Sequence, residues 1–136
     1  MSKQTPTPFP KVIVVEKDVS LPATSTTVQG MSVPAGTMVL AAGFEPSVAV
    51  PSVTTYTLNI TDGTTTFASA LNINNVAAGT IRAGFTGGVV PAADTIDVTT
   101  TITGSPGVIT GRVFAVIVDV ADQNRAPGGA DRDTLA

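Results

Sequence analysis

Thr95-Ile96-Asp97-Val98-Thr99-Thr100-Thr101-Ile102-Thr103 is the stretch that decides the fold. Ile96, Val98, Thr100 and Ile102 share one parity, while Thr95, Asp97, Thr99, Thr101 and Thr103 share the other. A period of two is what a half-buried strand shows and what a helix cannot keep. Gly104-Ser105-Pro106-Gly107 then breaks the run as a turn. The same grammar recurs upstream. Tyr56, Leu58 and Ile60 alternate with Thr55, Thr57 and Asn59, and Asp62-Gly63 follows at once. Thr65, Phe67, Ser69, Leu71 and Ile73 keep the period, and Ala77-Ala78-Gly79 turns the chain toward Ile81, Ala83 and Phe85. Met38, Leu40, Ala42 and Phe44 form another one-sided series, after a Pro/Thr/Ser/Gly stretch from Pro22 to Gly36 that reads as connection.

Two segments differ from these. Val12-Ile13-Val14-Val15 and Val113-Phe114-Ala115-Val116-Ile117-Val118 are apolar on both parities. In a sandwich one face of a strand meets the core, so the other face needs a cover. A neighbouring subunit supplies one, and loops or terminal arms of the same chain supply another. Val12, Val14, Val113, Ala115 and Ile117 are the candidate residues of an oligomer interface. Left bare, such runs are aggregation sites.

Composition agrees with a strand-and-turn chain. The 136 residues include 22 threonines and 19 valines, 30% of the total, with 13 glycines and 10 prolines as punctuation. Both Thr and Val are β-branched and suit a pleated surface. The expectation is one all-β domain, an antiparallel β-sandwich of jelly-roll type with about seven to eight strands over residues 11–121. Residues 1–10, with three prolines, read as an extended N-terminal arm, and 122–136 as a flexible C-terminal tail. In the arm, Thr5, Pro6, Pro8, Phe9 and Pro10 are candidate partner-binding residues, since ordering such a segment costs about 1–2 kcal/mol per residue that contact must offset.

Charge is sparse and uneven. Charged residues make up 12% of the chain, and between residues 19 and 118 they are only Glu45, Asp62, Arg82, Asp94, Asp97 and Arg112. A body so thinly charged either faces other protein or is kept wet by threonine hydroxyls. The net charge of −3 argues against nucleic acid as a partner. Mean hydropathy is high at +0.35, yet the apolar runs Met38–Phe44 and Val113–Val118 fall far short of the ~20 residues of a membrane helix. The first residues show no apolar signal core, so no membrane partner or export is expected.

The inventory of reactive groups is short. Histidine, cysteine and tryptophan are absent, which removes an imidazole base, a thiolate nucleophile, a Cys/His metal site and a disulfide framework. Glu16/Asp18 lie on one face of a strand exit with Lys17 between them, and Asp94/Asp97 lie three apart at a strand start. Both read as solvated carboxylates rather than a glycosidase pair. Asp119, Asp122 and Asn124 have oxygen ligands but no calcium-loop spacing. Gly84-Phe85-Thr86-Gly87-Gly88 lacks the lysine of a phosphate loop, and Asn59-Ile60-Thr61 matches a glycosylation sequon without a signal peptide. The single Tyr and five Phe give little for sugar stacking, and most of those Phe fall on core parity. No catalytic residue, metal or cofactor is expected; the chain is not read as an enzyme.

The order of segments carries a resemblance. Lys11-Val12-Ile13-Val14-Val15-Glu16-Lys17 is followed by Val33-Pro34-Ala35-Gly36-Thr37-Met38-Val39-Leu40, then by Tyr56-Thr57-Leu58-Asn59-Ile60-Thr61-Asp62-Gly63-Thr64. Thr95–Thr103 and Gly111–Val118 close the series. Over roughly residues 11–120 this resembles the small β-sandwich capsid decoration (cement) proteins of tailed bacteriophages, and related β modules of phage fibres. The resemblance implies a virion structural protein, made in the host cytoplasm, that binds the outer surface of an assembled head. It implies major capsid protein as partner, with the chain itself as a homotrimer, stabilising the shell by bridging subunits. The alternative is a tail, fibre or receptor-binding (glycan-binding) sandwich module.

Overall fold

The computed structural model describes residues 12–118. They form nine strands and no helix: β1 (Val12–Leu21), β2 (Thr27–Val33), β3 (Met38–Pro46), β4 (Thr55–Thr61), β5 (Thr66–Asn72), β6 (Arg82–Gly84), β7 (Gly88–Val89), β8 (Asp94–Thr103) and β9 (Ile109–Val118). They build two antiparallel sheets. One has the order β1-β9-β3-β6, with the two-residue β7 also on β3; the other has the order β2-β8-β4-β5. Most consecutive strands trade sheets, the β4–β5 hairpin and the β6–β7 edge excepted, and the expected β-sandwich is the fold observed. The arm 1–10, with its candidate residues Thr5 to Pro10, and the tail 122–136 lie outside the described residues.

Alternation writes the core directly. Tyr56, Leu58 and Ile60 of β4 and Ile96 and Val98 of β8 are sealed against Phe44 of β3 and Val113, Ala115 and Ile117 of β9. Thr100 keeps the same inward parity although it carries a hydroxyl. Its Oγ1 accepts from the Thr26 backbone N–H at 2.9 Å and donates back to the Thr26 carbonyl at 3.3 Å. That clasp satisfies a buried polar group and holds the β1–β2 connection over the sandwich. Asp62 performs the parallel task at the β4–β5 turn. Its Oδ1 accepts from the Thr64 and Thr65 N–H groups at 2.8 and 2.6 Å, while Gly63 takes φ +94°.

Three sequence expectations are corrected. The stretch read as connection from Pro22 to Gly36 contains β2, which pairs with β8 from Thr27↔Thr99 to Val33↔Asp94. A register shift between Val28 and Met31 moves its apolar residues from even to odd parity, which hides the strand from a period-two reading. The Ile81–Ala83–Phe85 series is a strand only at Arg82–Gly84, and Ile81 and Phe85 are exposed. Finally, Val113, Ala115 and Ile117 face the core rather than a partner, at 0, 0 and 5% exposure. The outward residues of β9 are Phe114, Val116 and Val118.

Candidate interaction face

The outer surface of the β9 sheet can be built row by row from its register. Val12 lies opposite Val118, which lies opposite Met38, which lies opposite Val89. Val14, Val116 and Ala41 form the second row, with Leu40 beside it in the bulge between Val39 and Ala41. Glu16, Phe114, Gly43 and Ala83 form the third. Asp18, Arg112 and Glu45 form the fourth. Two apolar rows thus give way to a charged one across a single aromatic ring.

Exposure shows that these apolar rows are largely open within residues 12–118, with Val116 and Val118 half-buried and Ala41 buried. Val12 and Val14 are 61 and 60% exposed, and Met38, Leu40 and Val89 are exposed with them. Of ten large apolar side chains exposed among the described residues, eight belong to this sheet or the segments flanking β6; Val48 and Val108 are the other two. Such clustering, rather than any single exposed valine, marks an interaction surface. Of the oligomer candidates, Val12 and Val14 therefore sit on this face, whereas the β9 candidates do not.

Phe114 has a local reason for its position. A Cβ on Gly43 would come within 2.6 Å of the Phe114 ring and 2.4 Å of the Arg82 carbonyl. The tip of the ring therefore occupies space over Gly43 that a larger residue would fill, joining β9 to the β3–β6 edge. Phe85, 80% exposed, extends apolar surface beyond that edge. Two of the five phenylalanines thus lie off core parity, while Phe44 and Phe67 are buried.

The charged row closes on Arg112. Its Nη1 donates to Glu16 Oε1 at 2.6 Å and its Nη2 to Glu45 Oε1, so one guanidinium ties β1, β9 and β3 together. Hydrogen bonds donated to Glu16 and then to Glu45 hold the guanidinium pKa above its usual value. An open groove of about 970 Å³ adjoins this row, with Asp18, Glu45, Ser47, Thr110 and Arg112 among its walls. Glu16 and Asp18 share the outer face, as their spacing predicted, with Glu16 engaged by Arg112. Asp94 accepts from the Thr95 N–H at 2.7 Å at the head of β8, and Asp97 accepts from the Thr95 hydroxyl. Among the described residues no group of three or more acidic side chains could hold a metal. Asp119, Asp122 and Asn124 lie outside the described residues.

No family model and no curated protein sequence matches this chain. Among solved structures, a chain of the cyanophage Pam1 capsid asymmetric unit superposes with a TM-score of 0.63 at 18% identity, covering 87% of this chain and 93% of that one. A chain of the Bacillus endospore appendages, a family of disulfide-linked pili, aligns over 87% of this chain and 96% of its own at 15% identity, with a TM-score of 0.35. The first likeness establishes a shared fold: this β-sandwich is also the fold of a chain in a cyanophage capsid.

Proposed function

We propose that this chain is a virion structural protein that binds the outer surface of an assembled phage capsid and stabilises it by bridging major capsid protein subunits. The observation that carries the reading is the two-row apolar half of the β9 sheet, ending on the charged Asp18–Arg112–Glu45 row with Glu16 paired to Arg112. A surface of that composition has the apolar centre and polar rim of a protein interface. The shared fold with a cyanophage capsid chain supports the setting, and jelly rolls recur in capsid and lectin domains alike. A homotrimer suits the task, because several weak footprints on one rigid body raise avidity by about 10²–10⁴. The work is adhesion, and no catalysis is assigned to it.

Co-sedimentation with purified heads tests this. Val14→Lys with Val116→Lys is expected to cut retention on heads about 100-fold, as two desolvated contacts of roughly 1.4 kcal/mol each would. Thr57→Lys with Thr99→Lys on the opposite sheet is expected to leave it unchanged. Equal retention of both variants, or absence of the protein from heads, overturns the proposal. The fibre or glycan-binding alternative has one observation in its favour, the exposed ring of Phe85. Glycan affinity lost on Phe85→Ala would favour it.

A further inference from the structure

The four sheet edges are not equivalent. On β2, pairing with β8 is interrupted between Val28 and Met31. On β5, pairing with β4 shifts twice, and Ala70 takes φ +54°, a left-handed conformation that bends the strand. The third edge is split between β6, three residues long, and β7, two residues long. Bulges and very short strands are the devices by which β proteins stop other strands from adding to their edges.

β1 has none of these. It runs ten residues in unbroken register with β9, from Val12↔Val118 to Leu21↔Ile109, and among the described residues it pairs with no other strand. Its first half is uncovered on both faces: Val12 and Val14 outward, and Ile13, on core parity, still 38% exposed. A ten-residue regular edge leaves unpaired backbone donors and acceptors along its free side. It invites strand addition, in which backbone hydrogen bonds supply affinity and alternating side chains supply choice.

A second copy of β1 is a poor occupant. Antiparallel partners in one sheet share a face, so β1 against β1 must join residues of equal parity. Centring on Lys17 sets Lys17 against Lys17 and Glu16 against Asp18; centring on Glu16 or Asp18 sets like carboxylates opposite each other. Centring on Val14 or Val15 sets Glu16 against Val12 or Val14, centring on Val19 sets Lys17 against Leu21 and leaves the apolar half unpaired, and centring on Ile13 or Ser20 pairs only three described residues. Like charges directly opposite destabilise a pair. Glu16-Lys17-Asp18 therefore guards the edge against its own kind.

The same triplet describes the strand that would fit. We propose that the free edge of β1 accepts an extended segment of a different protein. That segment is apolar opposite Val12 and Val14, β-branched opposite Ile13 and Val15, basic opposite Glu16 and Asp18, and acidic opposite Lys17. The inference stands apart from where the protein works, so its failure leaves the capsid reading untouched, and the reverse.

The probe is the synthetic peptide Lys-Glu-Lys-Thr-Val-Thr-Val, with a control carrying proline at its centre. Amide hydrogen exchange is followed on the full-length chain. The expected result is at least tenfold slower exchange at amides within Val12–Asp18 with the peptide and none with the control. Val14→Lys, at an exposed position that the fold tolerates, should weaken the effect at least tenfold. No protection at millimolar peptide, or protection elsewhere, overturns the proposal. So does full protection of these amides in the free chain, because a second copy or the chain's own terminal residues would then already fill the edge.

Discussion

β8 and β9 are each ten residues long, and each lies inside its sheet between two partners, yet they present opposite chemistry to the outside. Inward, β8 offers Ile96, Val98 and Thr100, and β9 offers Ile109, Val113, Ala115 and Ile117. Outward, β8 carries Thr95, Asp97, Thr99, Thr101 and Thr103, continued by Thr55, Thr57, Asn59 and Thr61 on β4. The outward residues of β9 are Arg112, Phe114, Val116 and Val118. Thr and Val are equally branched and equally suited to a strand, and differ by a hydroxyl against a methyl. Folding alone therefore does not require valine on the outside, as the threonine face of the other sheet shows.

The comparison can be broken most severely within the β9 sheet itself. Phe44→Ala should cost about 3–5 kcal/mol, since the ring is fully enclosed. Phe114→Ala, on the neighbouring strand but facing outward, should cost under about 1 kcal/mol in the isolated chain. Urea denaturation of both variants measures the difference. Similar losses would mean that the outer face is part of the core and not a surface.

Tyr56 tests the threonine sheet from its inner side. The hydroxyl is buried without a hydrogen-bond partner, and burial pushes its pKa up to about 12. The folded pKa exceeds the unfolded value of 10.0, so the stability is whole below pH 10 and is lost as pH rises toward 12. The loss should be about 1.4 kcal/mol per pH unit, on the order of 2–3 kcal/mol in all. Tyr56→Phe should flatten that dependence and should not destabilise at neutral pH, because it removes a donor left unsatisfied. As the chain's single tyrosine, it also reports its own ionisation by absorbance.

The smallest effect belongs to the bulged β5 edge. Ser69 and Ala70 together oppose Asn59, whose Oδ1 accepts from the Ala70 N–H at 2.7 Å. Ala70→Gly relieves the left-handed strain and should gain about 0.5–1 kcal/mol in thermal unfolding. A loss instead would mean that the bulge relaxes in solution.

Alternation made most of this fold legible, because in β4, β8 and the first part of β5 a hydroxyl or an amide marks nearly every outward position. It failed where pairing slips: the bulge in β2 shifts its parity, and an edge strand as short as β6 buries little. For β9 the run Val113–Val118 announced two covered faces, but apolar parity alone could not say which was the core. The missing signal was charge. Arg112 shares parity with Phe114, Val116 and Val118, just as Glu16 and Asp18 share it with Val12 and Val14. In β9 the lone charged residue Arg112 identifies the outer set, whereas in β1 Lys17 falls on the core parity of Ile13 and Val15 and blurs the same signal. The Arg112 ion pairs could not be foreseen, since they join residues 96 and 67 positions apart.

Val12 and Val118 are cross-strand partners, so both ends of the described chain leave from the same end of one hairpin-like pair. Tension applied between those ends would peel β1 from β9 one pair at a time, starting at Val12–Val118, as a zipper opens. Shear along the strands would instead strain all ten pairs together. The described body should therefore yield more easily to a pull between Val12 and Val118 than to shear along its strands.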